Sequence, residues 1–84
     1  MKLKITQDNI DHGLRGSSTS DPVALALKDK GFVRPYVGIN EITVHGRNNV
    51  VFLKKCPTPP EVLAFLERFD QSLAVEPTSF EVAL

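Results

Sequence analysis

The 84-residue sequence predicts an α+β domain, a small antiparallel or mixed sheet with helices on one face, in the order β-α-α-β-β-β-α-β. Two observations carry that expectation. Short stretches at both ends and in the middle alternate polar and apolar residues as half-buried strands do. Asp21-Pro22 and Thr58-Pro59-Pro60-Glu61 are helix-start signals, and the segments they open are apolar along one stripe. Alternation of this kind suits antiparallel strands with one wet face better than the continuous apolar runs of a parallel sheet.

Lys2-Leu3-Lys4-Ile5-Thr6 places Leu3 and Ile5 inward and both lysines outward. Thr6 then caps a short helix from Gln7 to His12, whose acidic residues favour a helix N-terminus, and Gly13 offers a left-handed stop. At Asp21-Pro22 the Asp accepts from orphan amides, and Pro at the first helical position loses nothing by lacking its own. That helix should cover 22–30 and end at Gly31, with Val23, Ala24, Ala26 and Leu27 a small apolar set able to lie close against a sheet.

Phe32 to Gly38 reads as a strand held at an edge by Pro35, which has no amide to donate. Glu41 to His45 alternates, Gly46-Arg47-Asn48-Asn49 is a turn, and Val50-Val51-Phe52-Leu53 is apolar on both faces, as a central strand would be. In Thr58-Pro59-Pro60-Glu61, Thr58 as N-cap and Glu61 three residues on compose a capping box. The helix that follows should reach about Asp70, with Val62, Leu63, Leu66 and Phe69 as its stripe and Phe65 widening it. Beyond Pro77, Ser79 to Leu84 alternates with Phe80, Val82 and Leu84 inward. Paired terminal strands would set Lys4 near Glu81. The expected shared core is Leu3, Ile5, Leu27, Ile42, Val44, Phe52, Leu66, Phe69, Phe80 and Val82.

Residues 1–84 are expected to form a single domain, with 13–20 an exposed Gly/Ser loop. No apolar run of about 18 residues is available to span a bilayer, and Met1-Lys2-Leu3-Lys4 leads into alternation, not a signal-peptide block, so a cytoplasmic location is expected. One cysteine, Cys56, excludes an internal disulfide framework and any Cys-rich zinc site. Zero net charge conceals an asymmetry: residues 1–55 carry nine basic and five acidic side chains, and residues 56–84 carry one and five. Whether folding interleaves these charges decides whether a polyanionic or a basic partner is implied.

The loop from Gly13 to Pro22 holds two glycines, Arg15 and four hydroxyls, the material of an anion-binding nest at a helix N-terminus. Against that, it lacks the Gly-Lys-Ser/Thr ending of a P-loop, Asp21 sets a carboxylate where phosphate would sit, and Pro22 removes an amide. The expected role is a capped loop displaying contact residues Arg15, Gly16, Ser17, Ser18 and Thr19, with Arg34 and Arg47 added from the basic part.

His12, beside Asp11 and near serines, has no Gly-x-Ser-x-Gly elbow to work with. A Cys56–His45 pair is the other nucleophile arrangement available, yet Cys56 reads more simply as a small apolar residue at a strand end. His12 and His45 lack metal-ligand spacing. No enzyme activity, cofactor or metal is expected. Lys2, Lys4, Arg15, Lys28, Lys30, Arg34, Arg47, Lys54 and Lys55 keep a nucleic-acid partner open, without a helix-turn-helix or a surface aromatic array to support it. Self-association as a homodimer is expected at Phe32 to Gly38 or at the C-terminal strand.

The pattern Ile5-Thr6-Gln7, Ile10, Gly13, Arg15-Gly16, Pro22-Val23-Ala24-Leu25-Ala26-Leu27, Phe69-Asp70, Val75-Glu76-Pro77 and Phe80 resembles a group of short uncharacterised phage- and prophage-associated bacterial proteins. Members often carry cysteine just before the proline, where this chain has Asp21, so a role tied to that thiol does not carry over. The resemblance implies a small stand-alone accessory protein and no particular reaction. The function expected is therefore non-enzymatic contact with another macromolecule, a protein first, with inhibition of a host complex suiting the size. A nucleic-acid-associated role is the alternative, and small-anion binding at 13–22 the third.

Overall fold

The structure, a computed structural model describing Met1–Leu84, has the element order the sequence predicts: β1 (Lys2–Ile5), α1 (Gln7–His12), α2 (Pro22–Asp29), β2 (Tyr36–Val37), β3 (Glu41–Arg47), β4 (Val50–Pro57), α3 (Pro60–Asp70) and β5 (Thr78–Glu81). The strands form two small antiparallel sheets, one of β1 and β5, the other in the order β2-β3-β4. Helix α2 joins them, touching β1, β2, α1 and α3. Its small side chains Val23, Ala24 and Ala26 are buried, which allows that close approach on more than one side.

Sixteen buried residues form one core, including Leu3 and Ile5 from β1, Val23 and Leu27 from α2, Ile42 and Val44 from β3, Val62, Phe65 and Leu66 from α3, and Phe80 and Val82 at the C-terminus. Phe65 and Phe80 meet edge to face at 5.6 Å between ring centroids. Phe52 only abuts this cluster, half-buried, and Phe69 is buried outside it.

Helix starts follow local chemistry in two cases out of three. Thr6 and Asn9 make a reciprocal capping box on α1: the Asn9 amide donates to Thr6 Oγ1 at 3.1 Å and the Thr6 amide to Asn9 Oδ1 at 2.9 Å. Asn9 Nδ2 also donates to Asp29 Oδ2 at 2.8 Å, tying the two helices together. Asp21 caps α2, accepting from the Ala24 amide at 2.7 Å. On α3 the expected box is absent. Pro59 is the N-cap without a side-chain bond, while Thr58 Oγ1 donates instead to the Gly38 carbonyl at 2.7 Å. A buried carbonyl from another element has taken the hydroxyl.

Further expectations change with the geometry. Gly13 is extended, φ −66°, not left-handed; its amide donates to the Asn9 carbonyl, and a Cβ there would meet the Pro22 ring at 2.7 Å, so the glycine serves a close approach. Gly31, φ +88°, does end α2 left-handed, and a Cβ there would collide with Asn48 Oδ1 of the hairpin turn. The β1–β5 register sets Lys2, not Lys4, opposite Glu81, whose carboxylate pairs with the N-terminal amine at 3.4 Å. The largest departure is β4. It is an edge strand, with Val50, Val51 and Leu53 exposed, where a central buried strand was expected. A short apolar run specifies a strand without saying how many neighbours it has.

Candidate functional site

The sequence-predicted contact residues divide between two places. Arg15, Gly16, Ser17, Ser18 and Thr19 lie on the loop ahead of α2, whereas Arg34 and Arg47 accompany the β3–β4 hairpin. The loop is fastened at several points. The Leu14 amide donates to the Ser20 carbonyl at 2.8 Å, the Ser18 carbonyl accepts from the Val37 amide at 2.8 Å, and the Gly16 amide donates to Asp70 Oδ1 at 3.0 Å. Arg15 and Thr19 are exposed, Ser17 and Ser18 half-buried. The Arg15 guanidinium stands 5.9 Å from the centre of the Phe69 ring.

Loop, sheet and helix together enclose an open groove of about 790 Å³. One wall is Gly16 to Ser18, the second is β2 with the β2–β3 connection, Tyr36 to Asn40, and the third is the α3 face with Leu63, Leu66, Glu67 and Asp70. Ile39 is 79% exposed and Tyr36 48%, so two apolar side chains are displayed at its rim. Its charged side chains, Asp21, Glu67 and Asp70, are all acidic. Neither Glu67 nor Asp70 has an ion-pair partner.

Burial pushes the Asp21 carboxyl from its ordinary 3.8 up to about 7; the Ala24 and Val23 amides oppose this and Asp70 adds to it. The negative charge that Asp21 lends the groove is therefore reduced near neutral pH, and its exposed carboxylates are Glu67 and Asp70. The backbone feature that suggested an anion nest works the other way: the Gly16 amide already serves a carboxylate, and Asp21 occupies the α2 N-terminus. The chemistry of this groove suits a cationic or apolar occupant over phosphate.

The histidines and Cys56 are separated. His12 sits on α1 with Nδ1 3.0 Å from the Asp8 carbonyl and 3.2 Å from Asp8 Oδ1, and these contacts raise its pKa above 6.5, the backbone hydrogen bond first. Cys56 is buried opposite Ile42, while His45 is exposed three residues further along β3. The nucleophile and base of that candidate pair are thus about 10 Å apart along the strand. No three His, Cys, Asp or Glu side chains come together as a metal site, and no helix is long and apolar enough to cross a membrane.

The hairpin is the second notable surface. Arg47 Nε donates to the Lys30 carbonyl at 3.1 Å, and its guanidinium lies 4.9 Å from the centre of the Phe32 ring. This arrangement gives Arg47 a packing role that a count of basic residues does not reveal. Arg34 is exposed with φ +48°, between the Val33 bonds to β3 and the start of β2. The groove itself had no sequence signal, because its walls come from residues about 20 to 50 positions apart. No protein-family model, curated protein or solved structure matches the chain.

Proposed function

We propose that the protein is a non-enzymatic binding module that receives a segment of a protein partner in the groove between the Gly16–Ser18 loop, the Tyr36–Asn40 connection and α3. The observation that carries this reading is the combination within one concavity of two exposed apolar side chains, Tyr36 and Ile39, with the carboxylates of Glu67 and Asp70, neither of which has an ion-pair partner. Such a lining fits a chain segment bearing apolar and basic side chains, the apolar part supplying affinity and the charges fixing orientation. An accessory role of this kind agrees with the resemblance to short phage- and prophage-associated proteins, and inhibition of a host complex is one form it takes in this proposal.

The test is an amide-resonance titration with a short peptide of alternating lysine and valine, its glutamate–valine counterpart, and a single-stranded oligonucleotide. The lysine peptide should shift Gly16, Ser18 and Ile39 saturably, and the glutamate peptide should not. Saturable shifts from the oligonucleotide at Arg34, Arg47 and Lys54 instead would favour the nucleic-acid reading, which the basic side chains of the hairpin support.

A further inference from the structure

The strongest unassigned surface is the end of the β3–β4 hairpin. Strand β4 has β3 on one side and no strand on the other. Val51 is 91% exposed, Val50 64% and Leu53 62%. Lys54 beside them has no ion pair, and Lys55 meets Glu41 only at 3.7 Å. An apolar, basic strand end of this sort is the chemical complement of the groove, which offers Tyr36, Ile39, Glu67 and Asp70.

The chain cannot satisfy itself. Val50 and Val51, opposite Arg47 and Gly46, lie at the far end of β3 from the groove at its Glu41 end, and the six steps between Glu41 and Arg47 span about 20 Å. The complement must come from another copy. A symmetric pairing of β4 with a second β4 is the rival arrangement, and two features oppose it. Pairing along the full length of β4, centred on Leu53 and Lys54, would set Lys54 of both copies close together with no acid on the strand. The register also shifts between Val44 and Gly46, leaving Phe52 and Leu53 facing one residue, His45, and a bulge of this kind interrupts a regular edge. The edges first suggested for self-association are also less open: the Val37 amide of the Phe32–Gly38 segment is bonded to Ser18, and β5 has only four residues.

We propose that the chain associates head to tail, the hairpin end of one copy (Val50, Val51, Leu53 and Lys54) seating in the Tyr36–Ile39–Glu67–Asp70 groove of the next. This rests on the groove being a binding site and names its occupant as a second copy. Because the two surfaces differ, the contact is heterologous, and each assembly keeps one free groove and one free hairpin to extend from. The charge asymmetry between residues 1–55 and 56–84 then acts between molecules, Lys54 from the first part meeting Glu67 and Asp70 from the second.

Sedimentation of the full chain and of two variants tests it. Val51→Asp disables the hairpin end and Asp70→Lys the groove; both positions are exposed, and thermal unfolding checks that each variant folds. The parent chain should rise above 9.3 kDa with concentration and return toward it as ionic strength increases. Each variant alone should stay at 9.3 kDa, and their mixture should form a one-to-one complex that grows no further, since only one intact groove and one intact hairpin remain compatible. Self-association of Asp70→Lys alone would overturn the proposal in favour of β4 pairing with itself. A parent chain that stays at 9.3 kDa at millimolar concentration would overturn it too. In that case saturable binding of the lysine–valine peptide to the groove would leave the binding-module reading standing, and its absence would remove both.

Discussion

The two halves of the larger sheet treat similar side chains in opposite ways. On β3, Ile42 and Val44 are completely buried in the core, whereas on β4, one strand away, Val50, Val51 and Leu53 face solvent. Both stretches are β-branched or aliphatic, and both form strands. What separates them is coverage: β3 has β2 and Phe32 on one side and β4 on the other, while nothing lies beyond β4. Apolar content on β3 holds the domain together. On β4 it contributes little to folding and is available for contact, which makes the pair an internal control for separating stability from binding.

The largest effect expected from that comparison is in the core. Leu27→Ala or Phe65→Ala should destabilise the domain by about 2–5 kcal/mol in urea unfolding, since each empties space inside the sixteen-residue cluster. Val51→Ala should change stability by no more than about 0.5 kcal/mol. A loss at Val51 comparable to that at Leu27 would break the contrast.

Asp21 gives the next effect, a dependence of stability on pH. Because the folded-state pKa is about 7 against an ordinary 3.8, the folded protein retains a proton that the unfolded chain releases between those values. Stability should therefore fall as pH rises from about 4 to about 7. Asp21→Asn keeps a side-chain acceptor for the Ala24 amide and should flatten that slope. Asp21→Ala should flatten it as well, yet be less stable than Asp21→Asn by about 0.5–2 kcal/mol, because the cap is gone. Unfolding curves for the three proteins across this pH range check both statements.

Arg15→Ala is expected to have the smallest effect on folding, a change under about 0.5 kcal/mol, because the side chain is exposed and its ring contact with Phe69 is distant. A larger loss would mean that the contact of Arg15 with Phe69 adds to the backbone bonds that hold the loop against α3.

Much of the fold was legible where the deciding partner is local. Asp21-Pro22 and Thr6 announce their helices because a cap is completed within three or four residues, and the alternation of β1, β3 and β5 states which side chains are buried. Thr58 failed for the complementary reason: its hydroxyl had a tertiary acceptor, Gly38, that local reading cannot see. The same applies to Val50–Leu53, where burial depends on what lies beyond the strand, and to the groove, which exists only once the Gly16 loop is bonded to Val37 and Asp70. Asn9 was readable in part, since Thr6-x-x-Asn9 is a variant of the capping box, but its bond to Asp29 was not.

In the proposed head-to-tail assembly the exposed β4 residues and the acidic groove are two sides of one contact. A dilution series followed by backbone amide shifts addresses it most directly. Head-to-tail association predicts that resonances of 50–54 and those of Gly16, Ile39, Glu67 and Asp70 move together along one concentration curve, while those of Leu3, Leu27 and Val62 in the core stay fixed. Shifts confined to β4, or no shifts at any concentration, would contradict the account.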